Sequence, residues 1–327
     1  MMGQFLNNRL IITRKEGFFS LFFQVLGHLA LSEARGQIPL VYFNRKCNYW
    51  SDSGWHSVRN AWEYYFEPVS TLAIEDLLPI GVGDYEGFGN DDFRAAFEGV
   101  GVEVACDYPD VIHFVWPDDI ERQRTYVNHL ICKYIRIKPH IMQRVEFLAN
   151  VLFQAQPVIG VHYRGREKMT DGTSISRLTY ENYYSEIEKQ LRKFPGGKVF
   201  VATDSADFLS ALMQRYGEVV VCSESLRLSR EDEHVGLHFH PMFRGPLAGE
   251  EVLIDALLLA RSSVLLHGMS NVATAALHFN PRLTHLNLEW KLAVGQRFCR
   301  STSRLVRPLM PTRIRRYLWQ FYLRRFK

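Results

Sequence analysis

A chain of 327 residues is longer than one ordinary hydrophobic core and long enough for two. Its 47% hydrophobic and 23% charged residues suit a soluble globular protein and exclude a disordered, fibrous or repeat chain. The net charge of +4 is uneven: residues 297–327 hold ten of the 39 Lys/Arg and none of the 35 Asp/Glu, leaving 29 basic against 35 acidic groups, a net of −6, on the first 296. An acidic body repels a polyanion, so no nucleic-acid partner is expected.

The opening MMGQFLNNRLIITRKEG has no apolar stretch long enough for a signal peptide, and residues 9–17 are expected to form a strand running into a glycine turn. FFSLFFQVLGHLALS follows. Interrupted by Gln24, Gly27 and His28, it suits a buried helix over 18–34 better than a membrane span. A second strand is expected over 36–43. Strand, glycine loop, helix and strand together open a parallel α/β unit. Residues 44–66 are dense in aromatic and polar groups without period, and are expected as a surface excursion. A helix over 141–153 ends at the break QAQP, residues 154–157.

Alternation is stronger after that break. Strands are expected over 158–163, 196–204, 218–223, 262–268 and 283–290. Between them lie helices over 180–194, 206–217, 250–261 and 270–279. The helix over 180–194 puts Tyr184, Ile187, Leu191 and Phe194 on one face. The pattern predicts an α/β fold of two Rossmann-like lobes facing a central cleft. The N-terminal lobe spans 1–155, the ligand-binding lobe 156–296, and a basic aromatic tail 297–327. Five scattered cysteines, with no CxxC pair or zinc spacing, suit a reducing compartment, so the chain is expected in the cytoplasm. The tail RIRRYLWQFYLRRFK fits an anionic membrane surface, giving a peripheral location at the inner face, or else packs back on the first lobe.

Ligands in such sheets bind beyond the carboxyl ends of the strands. The strand over 158–163 carries His162, with Arg164 two residues on along the same face. The next delivers Thr203 and Asp204, and 262–268 delivers His267 and Gly268 before a helix opening at Ser270 and Asn271. A helix N-terminus after glycine offers free N–H groups and a positive dipole end. Together with Arg164 and Arg166 it makes a phosphate site. There is no GxxxxGK[ST] and no GxGxxG after the first strand, which argues against a Walker loop or dinucleotide cofactor. Several residues carry two readings. Asp204 either caps the next helix or meets a ligand. Asp255, inside the apolar LIDALLLA, either makes a core hydrogen bond or binds ligand. Ser270 and Asn271 can cap and bind phosphate at once. His234, His238 and His240 form an HxH without a third ligand at useful spacing and suit a solvated loop.

The stretches IGVHYRGREK, VFVATDS and VLIDALLLARSSVLLHGMSN, in that order, resemble the three motifs of the alpha-1,6-fucosyltransferase family, which includes the nodulation fucosyltransferases. The clear match covers residues 158–290. The N-terminal glycine-loop helix and YYFEPVS, residues 64–70, resemble the nodulation enzymes more loosely. The resemblance implies a GT-B fold, GDP-fucose as donor, and inverting transfer without a metal or cofactor. The acceptor would be a hydroxyl of an oligosaccharide or lipid-linked glycan. His162 and Arg164 match the family's His-x-Arg, whose arginine holds the β-phosphate. Asp255 falls on the aspartate that recognises guanine, and Ser270 on the serine beside the phosphates. A carboxylate can accept from both N1–H and N2–H₂ of guanine. An arginine fork suits a pyrophosphate leaving group.

The chain departs from the family in one motif. Gly165 stands where core enzymes have a second arginine, and Arg166 follows it. The family's base is a carboxylate soon after this motif. Asp171 is preferred, because Glu167 abuts Arg166 and Lys168. No Asp-x-Asp ends a strand of the second lobe, which also fits metal-free chemistry. Two alternatives stand beside this expectation: a transferase of the same fold using another nucleotide sugar, and a non-catalytic protein that binds a nucleotide sugar or glycan.

Overall fold

The computed structural model describes residues 7–79, 82–109, 120–165, 178–229, 243–289 and 291. The expected sites Arg166, Glu167 and Asp171, the histidines 234, 238 and 240, and the C-terminal tail lie outside them.

Two all-parallel sheets are present among the described residues. The first has three strands, β1 (Asn8–Ile12), β2 (Ile38–Tyr42) and β3 (Val102–Ala105), in the order β2-β1-β3. Helix α1 (Phe18–Arg35) makes the crossover from β1 to β2. It stops at Gly36, whose φ of 63° lets the chain turn back and donate to the Glu33 carbonyl. The short helices α2 (Ile74–Leu77) and α3 (Asn90–Ala96) supply Ile74, Leu77 and Phe93 to the face of the sheet formed by Leu10, Ile12, Leu40 and Tyr42. The alternate residues Ile11 and Val41 face α1.

Helices α4 (Ile120–Tyr134) and α5 (Pro139–Phe153) lead into the second sheet. Its strands are β4 (Val158–Tyr163), β5 (Lys198–Thr203), β6 (Val220–Val221), β7 (Val264–His267) and β8 (His285–Asn287), in the order β6-β5-β4-β7-β8. The crossovers are α6 (Tyr180–Lys193), α7 (Ala206–Tyr216), α8 (Pro246–Leu259) and α9 (Asn271–Phe279). Ile159, Val161, Val199, Val201 and Leu266 pack with Tyr183 and Ile187 of α6 and Phe208 and Leu212 of α7. Phe200, Ala202 and Leu265 belong to the opposite cluster, with residues of α5, α8 and α9. Burial of both faces explains why these strands are nearly continuous apolar runs. Gly160 interrupts one of them because a Cβ there would lie 2.4 Å from Ser262 Oγ.

Several expectations are corrected. Residues 44–66 are only in part a surface excursion: Arg45, Lys46, Asp52, Ser53, His56, Ser57 and Arg59 are exposed, but Cys47, Tyr49, Ala61, Trp62, Tyr64, Tyr65 and Phe66 are buried. Asn60 makes this possible by serving the end of β2 as a strand would. It accepts from Phe43 N at 2.9 Å and donates to Val41 O at 2.7 Å, so irregular backbone is buried without losing its hydrogen bonds. The buried face of α6 centres on Tyr183, Glu186, Ile187 and Gln190, with Tyr184, Leu191 and Phe194 only partly covered. Residues 218–223 yield a two-residue strand after a 3₁₀ turn, and α8 starts earlier than expected, at Pro246.

The largest buried cluster crosses the 155/156 boundary. Phe19 and Phe22 of α1 meet Phe279 of α9 at ring separations of 6.4 and 5.7 Å, and Phe23 meets His278 at 5.4 Å.

Candidate active site

Where the carboxyl ends of β4 and β5 meet the start of α1, the fold leaves a cleft with an empty volume of about 1030 Å³, partly open to solvent. Its wall includes His162, Arg164, Asp204, Asp255 and Asn271, so one space gathers five residues that the sequence had singled out separately.

His162 is buried between β5 and the start of α9. Its Nδ1 lies 3.0 Å from the Ala202 carbonyl, which can only accept, so Nδ1 carries the proton. Nε2 then accepts from the Ser270 hydroxyl at 2.8 Å. Ser270 Oγ in turn accepts from Val272 N at 3.2 Å, capping α9. Both ring nitrogens thus hold protein groups, and His162 fixes the α9 N-terminus relative to β4. Asn271, the first residue of α9, lines the cleft; Ser270 acts one step behind it.

Arg164 leaves the end of β4 and lines the cleft. The loop after it is pinned by Asp204, whose Oδ1 accepts from Gly165 N at 2.7 Å. Asp204 therefore does not cap α7. Ser205 does, accepting from Phe208 N at 3.2 Å. His267 stays out of the cleft. Arg124 of α4 donates to His285 Nε2 at 2.9 Å, His285 Nδ1 to His267 Nε2 at 2.8 Å, and His267 Nδ1 to Gly268 O at 2.7 Å. Burial, helped by the positive charge of Arg124, lowers the His285 pKa to about 4, which keeps the His285 ring neutral.

Asp255 occupies another part of the wall. It is 6% exposed and accepts from the hydroxyls of Ser223 and, at 3.0 Å, Ser225. Arg227 holds the same turn by donating to the Ser223 and Ser225 carbonyls at 2.9 and 2.7 Å. Burial raises the Asp255 pKa to about 6, although the two serines oppose the shift. Asp255 thus makes the core hydrogen bonds of one reading, and it also lines the cleft. Glu251, one turn earlier, also lines the cleft and accepts from Leu226 N at 3.1 Å. Burial raises its pKa as well.

Thr203, at the end of β5, also lines the cleft, and the first half contributes Glu16, the α1 N-terminus from Gly17 to Ser20, and Tyr49. Gly17 provides no side-chain cap. Tyr49 OH accepts from Phe18 N at 2.8 Å, and burial pushes its pKa up. Sequence reasoning missed Tyr49 and Glu251. Glu251 carried a signal, since a carboxylate four residues before Asp255 shares its helix face. Tyr49 carried none, because its segment has no period.

Charge is distributed along the wall. Arg164 and the starts of α1 and α9 offer positive charge or N–H dipoles. Asp255 and Glu251 offer hydrogen-bond acceptors on α8. A ligand with an anionic middle and a donor-rich aromatic end fits such a wall.

No family model matches the chain. Solved structures do. The chain is similar to NodZ alpha-1,6-fucosyltransferase soaked with GDP-fucose, at 19% identity and a TM-score of 0.54, over 85% of this chain and 94% of that one. It is similar to fucosyltransferase NodZ from Bradyrhizobium, at 18% identity and a TM-score of 0.52, over 83% and 92%. It is also similar to POFUT1 in complex with GDP, at 12% identity and a TM-score of 0.51, over 86% and 98%. The chain shares its α/β fold with these fucosyltransferases, the first two being of the kind its three motifs resemble.

Proposed function

We propose that the protein is a GT-B glycosyltransferase that moves fucose from GDP-fucose to a hydroxyl of an oligosaccharide or lipid-linked glycan. The observation that carries this reading is the convergence of His162, Arg164, Asp204, Asp255 and Asn271 on one cleft, in a fold shared with fucosyltransferases. In the proposed reaction the acceptor oxygen attacks fucose C1 as the bond from C1 to the GDP oxygen breaks, with inversion. The acceptor's proton passes to a carboxylate, Asp171 in preference to Glu167. Arg164 holds the charge that grows on the leaving pyrophosphate, with Arg166 as a further donor-binding candidate. The α9 N-terminus, set by His162 and Ser270, adds N–H donors. Asp255 accepts from guanine. Fixed cations and dipoles would supply the stabilisation that a metal provides in other transferases.

The division at 155/156, with the acceptor on the N-terminal side, belongs to this proposal. So does a cytoplasmic enzyme resting on an anionic membrane through its tail. Among the described residues no helix is long and apolar enough to cross a membrane. Cosedimentation of the full chain, and of a chain ending at residue 302, with anionic liposomes tests the tail: only the full chain should sediment.

Purified protein incubated with GDP-fucose and an array of glycans should release GDP and give a fucosylated product. GDP binding without turnover on any acceptor would favour a non-catalytic binding protein. Turnover with a different nucleotide sugar would move the donor.

A further inference from the structure

A second group of side chains converges away from the donor cleft. His56, His140 and Glu250 each bring a ligating atom to one place, and these atoms all lie within 4.8 Å of one another. They come from three separate stretches of chain.

His56 sits in a two-residue turn. Trp55 N donates to Val58 O at 3.0 Å and Val58 N to Trp55 O at 2.9 Å, while His56 and Ser57 between them have φ of 48° and 64°. Two successive positive φ values define a type I′ turn, which favours Asn-Gly. A histidine and a serine there carry strain that persists only where surrounding structure imposes it. The turn brings the exposed His56 ring to 4.5 Å from the His140 ring, tilted by 49°.

His140 is the second residue of α5, directly after Pro139. Its Nε2 is buried and has no hydrogen-bond partner among the described residues. Glu250, on α8, is 5% exposed, and Arg144 Nη1 donates to its Oε1 at 3.3 Å. This contact holds the carboxylate, as hydrogen bonds to ligating carboxylates do, although Arg144 and Lys138 also bring positive charge that limits affinity.

We propose that His56, His140 and Glu250 form a site for a divalent transition metal, with zinc the ion best suited to two imidazoles and one carboxylate. Around tetrahedral zinc, with bonds of ~2.0–2.1 Å, ligand atoms sit about 3.3 Å apart, so small side-chain rotations close the observed spacing. The ion would tie the 55–58 turn and α5 to α8. The neighbouring Glu251 faces the cleft, so the metal braces the cleft wall from outside without meeting the donor. The inference stands independently of the proposed transferase activity.

The test is zinc binding to the full chain after stripping with EDTA, followed by calorimetry and thermal unfolding, with cobalt as a spectroscopic probe. The wild type should bind zinc, and its unfolding temperature should rise. Cobalt should give the visible bands of a tetrahedral site without a thiolate charge-transfer band. His140→Ala and His56→Ala should each weaken zinc by at least the ~10–100-fold that loss of a mere outer partner costs, and Glu250→Gln should do the same if it folds. His56 lies in an exposed turn, so its replacement tests the site without endangering the core. Zinc binding that is absent in the wild type, or unchanged in the His56→Ala/His140→Ala double variant, overturns the proposal.

Discussion

The two sheets use different means to hold a similar parallel topology. The five-stranded sheet is built from regular alternation. Its strands β4, β5 and β7 are buried on both faces, and the cleft residues His162, Arg164, Thr203 and Asp204 follow from register at the carboxyl ends of β4 and β5. The three-stranded sheet is flanked by an irregular aromatic mass. Phe22 alone meets Phe19, Phe23, Trp62, Phe66 and Phe279 at ring separations of 5.6–6.3 Å. That mass continues into the packing of α8 and α9, so the first half is stabilised by the second. The difference separates two kinds of residue. Those at the strand ends can be changed for chemistry, while those between the halves answer to stability.

Phe22→Ala probes the second kind and should have the largest effect. It removes a side chain 1% exposed, and such truncations cost about 3–5 kcal/mol. Because the cluster spans both halves, unfolding followed by circular dichroism and fluorescence should shift as one cooperative transition. Two separated transitions, with only the first displaced, would show that the halves are energetically independent.

Arg164→Ala probes the first kind. Turnover of GDP-fucose should fall ~10²–10³-fold, with the unfolding temperature nearly unchanged. Arg164→Lys should restore only part of the rate, since an ammonium cannot reproduce the guanidinium fork. A folded Arg164→Ala protein working at wild-type rate would remove the strand end from the chemistry.

Asp255 lies on the border between the two kinds, and pH separates its roles. Its folded pKa, about 6, is above the unfolded value of 3.8. The stability linked to its proton is full below 3.8 and lost as pH rises through 6. Guanine needs the ionised carboxylate, so GDP affinity should move the opposite way, falling about tenfold from pH 7 to pH 5. Asp255→Asn should weaken GDP by roughly 1.5–3 kcal/mol at pH 7, flatten that pH dependence, and leave stability at pH 7 unchanged or raised. Calorimetry that finds the same GDP affinity in the variant would leave Asp255 in the core alone.

The smallest expected effect is that of chelation. Turnover in excess EDTA should equal that without it, at a temperature where the protein stays folded. A zinc ion bound at His56, His140 and Glu250 would instead appear as a lower unfolding temperature in EDTA. A strict requirement for manganese or magnesium in turnover would contradict transfer driven by arginine and helix dipoles.

The sequence by itself determined the alternating second half, because strands buried on both faces are written as apolar runs and their helices as 3.6-residue periods. From those runs alone, His162, Arg164, Asp204 and Asn271 could be placed at strand ends, and the structure puts all of them at the cleft or its edge. Sequence reasoning missed β3, α2, α3 and α4. The first three are only four to seven residues long, and the apolar face of α4 is set among many charged residues. Tertiary structure alone decided that the aromatic residues of 44–66 are buried, since Asn60 replaces the missing strand hydrogen bonds through contacts invisible in a linear pattern. It alone decided that Ser205, rather than Asp204, caps α7, and that His162 steadies the α9 N-terminus through Ser270, 108 residues away. Local propensity and period act over a few residues. Which donor meets which acceptor across the chain is settled only when packing brings distant segments together and each buried polar group must find its partner.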